Sequence, residues 1–141
     1  MDAARAIIVA NRFMTLATAD ADGVPWASPV WFAPDGERDI LWVSSPGARH
    51  SQNLAVRPEL AIVIFDSHAT PGTASGLYLE AVAEQAETGI EAFSAHSVAQ
   101  GLPAFTRDDI SGAAPLRLYR AHTTARWLLG PDSRRVEAPF T

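Results

Sequence analysis

From Phe13 onward the chain is written in short apolar runs cut by turn residues, and this rhythm limits its fold more than any other feature. Residues 13–18, 26–33 and 40–44 read as three strands. Asp20-Ala21-Asp22-Gly23 and Pro34-Asp35-Gly36 lie between them as turns. In 40–44, Ile40 and Trp42 fall on one face and Leu41 and Val43 on the other, so that strand is expected to be covered on both sides. Residues 60–65 form a continuous β-branched and apolar run, expected to be a strand buried on both faces. Residues 77–85, 116–123, 125–129 and 134–137 complete the strands, and 67–75 reads as a loop.

Helical signals are few. Ala3, Ala6, Ile7 and Ala10 are spaced for a helix over 2–11. Residues 48–56 read as a short helix stopped by Pro58, and 88–100 as another ended near Gly101-Leu102-Pro103. Many short strands and few helices predict a mainly β (α+β) chain, a closed or nearly closed antiparallel barrel with short flanking helices. The 141 residues fit one domain spanning 1–141. A barrel of that size is filled by its own side chains, so a ligand is expected outside it or between two copies.

Composition narrows the chemistry. The formal net charge is −5 and all 11 basic residues are arginines, which disfavours a nucleic-acid partner. A chain without cysteine has no disulfide, thiolate metal site or cysteine nucleophile. His50, His68, His96 and His122 have no metal-ligand spacing, and no nucleophile elbow, P-loop or dinucleotide fingerprint occurs. No apolar run spans a bilayer, and Asp2 replaces the basic start of a secretory signal, so a cytoplasmic protein is expected.

Two segments carry candidate function. Residues 40–58 run from a strand through Ser44-Ser45-Pro46-Gly47 into a helix whose first turn holds Arg49 and His50. A helix N-terminus with Ser44, Ser45 and Ser51 hydroxyls and a planar guanidinium is suited to a phosphate. The alternative is that Ser45 or Ser51 caps the helix and Arg49 lies in solvent. Trp26-Ala27-Ser28-Pro29-Val30-Trp31-Phe32 offers a flat aromatic wall for a planar heterocycle, or else ordinary core.

Taken in order, these pieces resemble the FMN-binding split-barrel family that includes the pyridoxamine 5′-phosphate oxidases. The matching residues are Gly23-Val24-Pro25, Ser28-Pro29-Val30-Trp31-Phe32, the Ile40–Ser45 strand, the basic pair Arg49-His50, Asn53-Leu54 and Arg57-Pro58. Trp127 followed by Arg134 and Arg135 resembles the family's closing segment. The resemblance implies a split barrel forming a homodimer, with FMN at the interface and a small-molecule substrate. It implies that Ser28, Val30, Trp31 and Phe32 line the flavin, partly through backbone groups, with Val43 and Ser44 by the ribityl chain. Arg49 and His50 would hold the 5′-phosphate, beside the Ser45 and Ser51 hydroxyls of the helix start; if His50 is a phosphate ligand, its charged form is expected to be favoured. Tyr78, Trp127 and Arg134 would reach FMN from the partner chain.

Ser28 stands where the family often has arginine, His50 where it often has lysine, and Gly76-Leu77 where a glutamine contacts the flavin. Pyridoxamine phosphate is therefore not the expected substrate. The function expected is an FMN-dependent oxidoreductase. The alternatives are a reductase using the deazaflavin F420, or a non-catalytic flavin- or haem-binding protein with His68 or His122 as axial ligand.

Overall fold

In the computed structural model, which describes residues 1–73 and 75–141, the segment expected to hold three strands holds four. Helix α1 (Ala3–Ala10) precedes β1 (Phe13–Ala19), β2 (Pro25–Trp31), β3 (Ala33–Asp35) and β4 (Asp39–Ser44). Then come α2 (Arg49–Val56), β5 (Glu59–Phe65), β6 (Gly76–Gln85), α3 (Ile90–Ala99), β7 (Arg117–Leu129) and β8 (Arg135–Glu137). Ala74, within the expected loop 67–75, lies outside the described residues.

The expected strand 26–33 breaks at Phe32, and Pro34-Asp35 belongs to β3 rather than to a turn. Phe32 is 0% exposed and drives the break by turning into the core. The reversal falls one residue later, on Gly36, whose φ of +71° suits a residue without Cβ.

The sheet is antiparallel in the order β2-β1-β5-β6-β7-β4-β3, with β8 added beside β7. β2 and β3 therefore form opposite edges of the sheet, yet a single residue separates them in the chain. A flat sheet cannot satisfy both facts. The sheet must curl until its edges meet, which makes it an antiparallel half-barrel, split alongside β2. Pro25 and Pro29 fit that edge position, because proline gives no N–H to a second neighbour.

Inside lie Met14, Leu16, Phe32, Trp42, Ile62, Ile64, Leu77 and Leu79, all but sealed from solvent. Trp42 and Tyr119 stack there at 5.7 Å and 12°. Ala4 and Ile8 of α1, and Leu54 of α2, pack into the same core. A second cluster sits outside the barrel, where Ile90 and Phe93 of α3 cover Ala33, Leu41 and Leu118. Leu41 facing this cluster while Trp42 faces the barrel fulfils the two-sided reading of 40–44.

Two further expectations need correction. Residues 60–65 are covered on one face only: Leu60, Ile62 and Ile64 are buried, but Ala61 and Phe65 are exposed and Val63 is half-buried. The run looks doubly buried because the uncovered face is apolar too. Residues 116–123 and 125–129 form one strand, not two. Opposite β6, Glu80 pairs with Ala125 and Ala81 with Thr123, so Thr124 is one extra residue, a β-bulge. The polar pair Thr123-Thr124 thus bends a strand without ending it.

Candidate functional site

Helix α2 starts without the usual help. Its N-cap is Ala48, which has no side chain to accept from the first N–H groups. Those donors and the positive end of the helix dipole face outward beside Arg49. Arg49 is exposed and, among the described residues, makes no hydrogen bond or ion pair. Its guanidinium lies 4.5 Å above the ring of Trp26 on β2. Arg49 also adds to the charge around Asp20, whose carboxyl sits below its usual range chiefly because it accepts from the Val24 N–H. Trp26 heads the aromatic run read from the sequence, but its pairing with Arg49 was not read there.

His50 turns inward from the same turn. It is 7% exposed, and its Nε2 shares a 2.9 Å hydrogen bond with Ser44 Oγ. Burial pushes the imidazole pKa down, so the ring is neutral at neutral pH. The ring is desolvated and tied to Ser44, surroundings that favour its neutral form over the charged one expected of a phosphate ligand. Asn53, one turn on, donates from Nδ2 to Thr18 Oγ1 at 3.0 Å and fastens this flank of α2 to β1. Within the Asn53-Leu54 motif, that tie was the missed role.

Ser45 and Ser51 do not join this group. Ser45 Oγ accepts from the Gly47 N–H at 3.1 Å and holds the turn. Ser51 follows Arg49 by two residues, about 200° around the helix at roughly 100° per residue. Its side chain faces β6 on the opposite flank, buried and without a hydrogen-bond partner. The expectation that Ser51 shares an anion with Arg49 is corrected by helix geometry.

The aromatic strand divides in the same way. The side chains of Val30 and Phe32 belong to the barrel core, which leaves their backbone as what these two positions can offer a ligand. Trp31 faces outward but is already engaged. Its indole N–H donates to Gln100 Oε1 at 2.9 Å, and its ring packs on Phe93 and Phe105 at 5.0 and 6.2 Å. Val43 packs against the α3 cluster. Ser28, half-buried, stays available on β2, whose far backbone edge pairs with no strand among the described residues.

Tyr78 and Trp127 lie elsewhere. Register links Pro29 to Thr15, Thr15 to Val63, Val63 to Tyr78 and Tyr78 to Trp127 in one row across the outer face. At about 4.8 Å per strand, Tyr78 and Trp127 stand roughly 14 and 19 Å from β2. With Thr15, Ala17, Ala61 and Val63 they line a shallow apolar hollow of about 150 Å³. The Arg135 guanidinium, not that of Arg134, lies 4.2 Å over the Trp127 ring. Arg134 is exposed, and its carbonyl accepts from the Gly130 N–H. Of the proposed axial histidines, His68 is exposed in a turn and His122 Nδ1 is held 2.7 Å from Asp39.

Comparison with known proteins follows the same lines. The family model described as pyridoxamine 5′-phosphate oxidase matches residues 1–123. The chain belongs to this family. No curated protein matches it. Among solved structures, the haem storage protein HutZ of Vibrio cholerae has a TM-score of 0.68 and 23% identity, over 85% of this chain and 87% of that one. A haem-binding protein from Mycobacterium smegmatis has a TM-score of 0.71 and 24% identity, over 96% of this chain but 55% of that one, so this chain spans about half its length. An F420 reductase has a TM-score of 0.66 and 18% identity, over 89% and 97%. At these identities the likeness is one of fold. As a family member the chain has the split-barrel architecture derived above, and no helix is long and apolar enough to cross a membrane.

Proposed function

We propose that the chain binds FMN as a homodimer and serves as a flavin-dependent oxidoreductase for a small planar substrate. The observation that carries this reading is the α2 corner. Among the described residues, a helix N-terminus without a side-chain cap and an arginine that makes no ion pair stand beside an edge of β2 that pairs with no further strand. Such a corner suits a phosphate monoester joined to a flat, hydrogen-bonding ring.

In this reading Arg49 and the first N–H groups of α2 hold the phosphate. Ser44, positioned by neutral His50, offers its hydroxyl to the linking chain. The free backbone edge of β2 around Ser28 meets the polar rim of the ring. When bound, FMN supplies the electron- and hydride-transfer chemistry, and the protein's part is to bind, orient and exclude water. The apolar hollow of Tyr78 and Trp127, with exposed Phe65 beside it in the sheet, is where a second copy would pack. That packing would bring the partner's aromatics within reach of a ligand they cannot reach in one chain.

The test is the visible spectrum of the purified protein, followed by titration with FMN, F420 and haem. The expected result is saturable binding of one FMN per chain, weakened about 10- to 100-fold in Arg49→Ala, as the loss of a charge-assisted contact implies. Binding of F420 or haem without FMN would replace the cofactor assignment. Binding of none of the three would overturn it.

A further inference from the structure

Helix α3 lies against the outer side of the sheet, and a chain of hydrogen bonds ties its C-terminal end to β2. The Trp31 indole N–H donates to Gln100 Oε1 at 2.9 Å, and Gln100 Nε2 lies 3.0 Å from His96 Nε2. Among the described residues, the Trp31–Gln100 bond is the one side-chain hydrogen bond between this helix end and the sheet. Ser94 and Ser97 bond instead to the loop that follows α3. The backbone of Trp31 matters as well. The Phe32 N–H donates to the Arg12 carbonyl, so by antiparallel alternation the main-chain groups of Trp31 point away from β1, to the open edge of β2.

Donors and acceptors allow one arrangement of this chain. An indole N–H can only donate, so it meets the Gln100 oxygen, which turns the Gln100 NH2 toward His96. An amide NH2 accepts nothing, so His96 Nε2 has to accept, as it does only in a neutral ring with its proton on Nδ1. A protonated ring would set N–H against N–H. Turning the Gln100 amide over to serve that ring would set its NH2 against the indole N–H. In this geometry a protonated His96 and a bonded Trp31 exclude each other.

The surroundings favour the neutral ring. His96 is half-buried, and burial, then Arg5 of α1, lower its pKa. The other charged groups near the contacts of α3 are engaged elsewhere. Asp35 and Asp39 hold Arg120, His122 is bonded to Asp39, and Asp109 accepts from Thr106. Arg107 and Arg117 donate to backbone carbonyls, β2 carries no titratable side chain, and Glu91 and Asp108 face solvent.

We infer that Trp31, Gln100 and His96 form a proton-operated latch. Closed, it fixes the end of α3 and the Trp31 indole beside the open edge of β2; protonation of His96 releases both. The latch stands without the FMN reading, and only a consequence for bound FMN, a looser β2 edge in acid, rests on it.

The experiment follows the four tryptophan indole N–H signals and the His96 ring nitrogens of the purified protein by NMR, from about pH 8 to pH 5. At the upper end the His96 ring is expected as the Nδ1–H tautomer. On acidification the Trp31 indole should move with the midpoint of His96, below the free-imidazole value of about 6.5, and exchange with water at least tenfold faster. In Gln100→Glu the carboxylate accepts from both the indole and the imidazolium, so the His96 midpoint should rise by at least one pH unit and Trp31 should stay bonded in acid. An Nε2–H tautomer at the upper end, a Trp31 signal that ignores the titration of His96, or an unchanged His96 midpoint in Gln100→Glu would each overturn the latch. Acid unfolding would move all four indoles together, and the tautomer and the Gln100→Glu midpoint then decide.

Discussion

Arg126 and Arg49 each lie with the guanidinium 4.5 Å from the centre of an aromatic ring, Phe140 and Trp26 respectively, and share little else. Arg126, at the α1 end of the barrel, is 4% exposed. It donates to the carbonyls of Ala138 and Pro139 at 2.8 and 3.0 Å and lies 3.4 Å from Asp2 and 3.7 Å from Glu37. Its Nε and Nη2 are both engaged, and its charge sits between two carboxylates. Arg49, at the α2 end, rests on its ring and bonds to nothing else described. The first arginine is part of the structure, and the second is free to receive something. The difference lies in what surrounds each one, since the two residues are chemically identical.

Replacing both arginines in turn tests that contrast. Arg126→Ala carries the largest expected effect, a loss of about 3 kcal/mol in urea unfolding, because carbonyls and carboxylates gathered around a buried charge lose it together. FMN affinity per folded molecule is expected to stay unchanged. Arg49→Ala should reverse the pattern: unfolding moves by less than about 1 kcal/mol, the worth of an exposed cation–π contact, while FMN affinity falls. If both variants lose stability alike, the contrast fails.

Trp26→Leu sharpens it further. Stability should change by about 0.5 kcal/mol, and Arg49, released from its ring, should retain FMN binding within a few-fold. The mildest perturbation is acid. Burial lowers the His50 pKa in the folded state, so above the unfolded value of about 6.5 the ring is neutral in both states and stability is complete. As pH falls below that value, the unfolded chain takes up the proton first and stability drops until the folded pKa is passed. His96, lowered by burial and then by Arg5, acts in the same direction. His50→Gln should therefore shrink the acid-side loss without abolishing it. FMN affinity should be flat from pH 7 to 8.5, since no imidazolium is there to be lost.

The fold was more legible than the site. Alternation in 77–85 and the doubly apolar 40–44 encode where strands sit, because each side chain's burial follows from its own face. The break at Phe32 was hidden: its reason is long-range, the need for opposite sheet edges to meet. The bulge at Thr124 is visible only against its partner strand. At the site, the serines, Arg49 and His50 fall within eight residues of sequence, and sequence proximity hides the helix between them. Only the turn of α2 separates Arg49 from Ser51, and only packing shows that Trp31 is tied to Gln100 while Trp26 is not.

The single residue between β2 and β3 also bears on how the chain assembles. Among the described residues, β4 pairs with β3 and with β7, a strand that begins at Arg117. The β3–β4 hairpin therefore has no sheet to join until some seventy residues later in the chain, when β7 enters between β6 and β4. Pairings this distant make barrel closure a late and slow event. During synthesis, the split beside β2 stands open until β7 has left the ribosome.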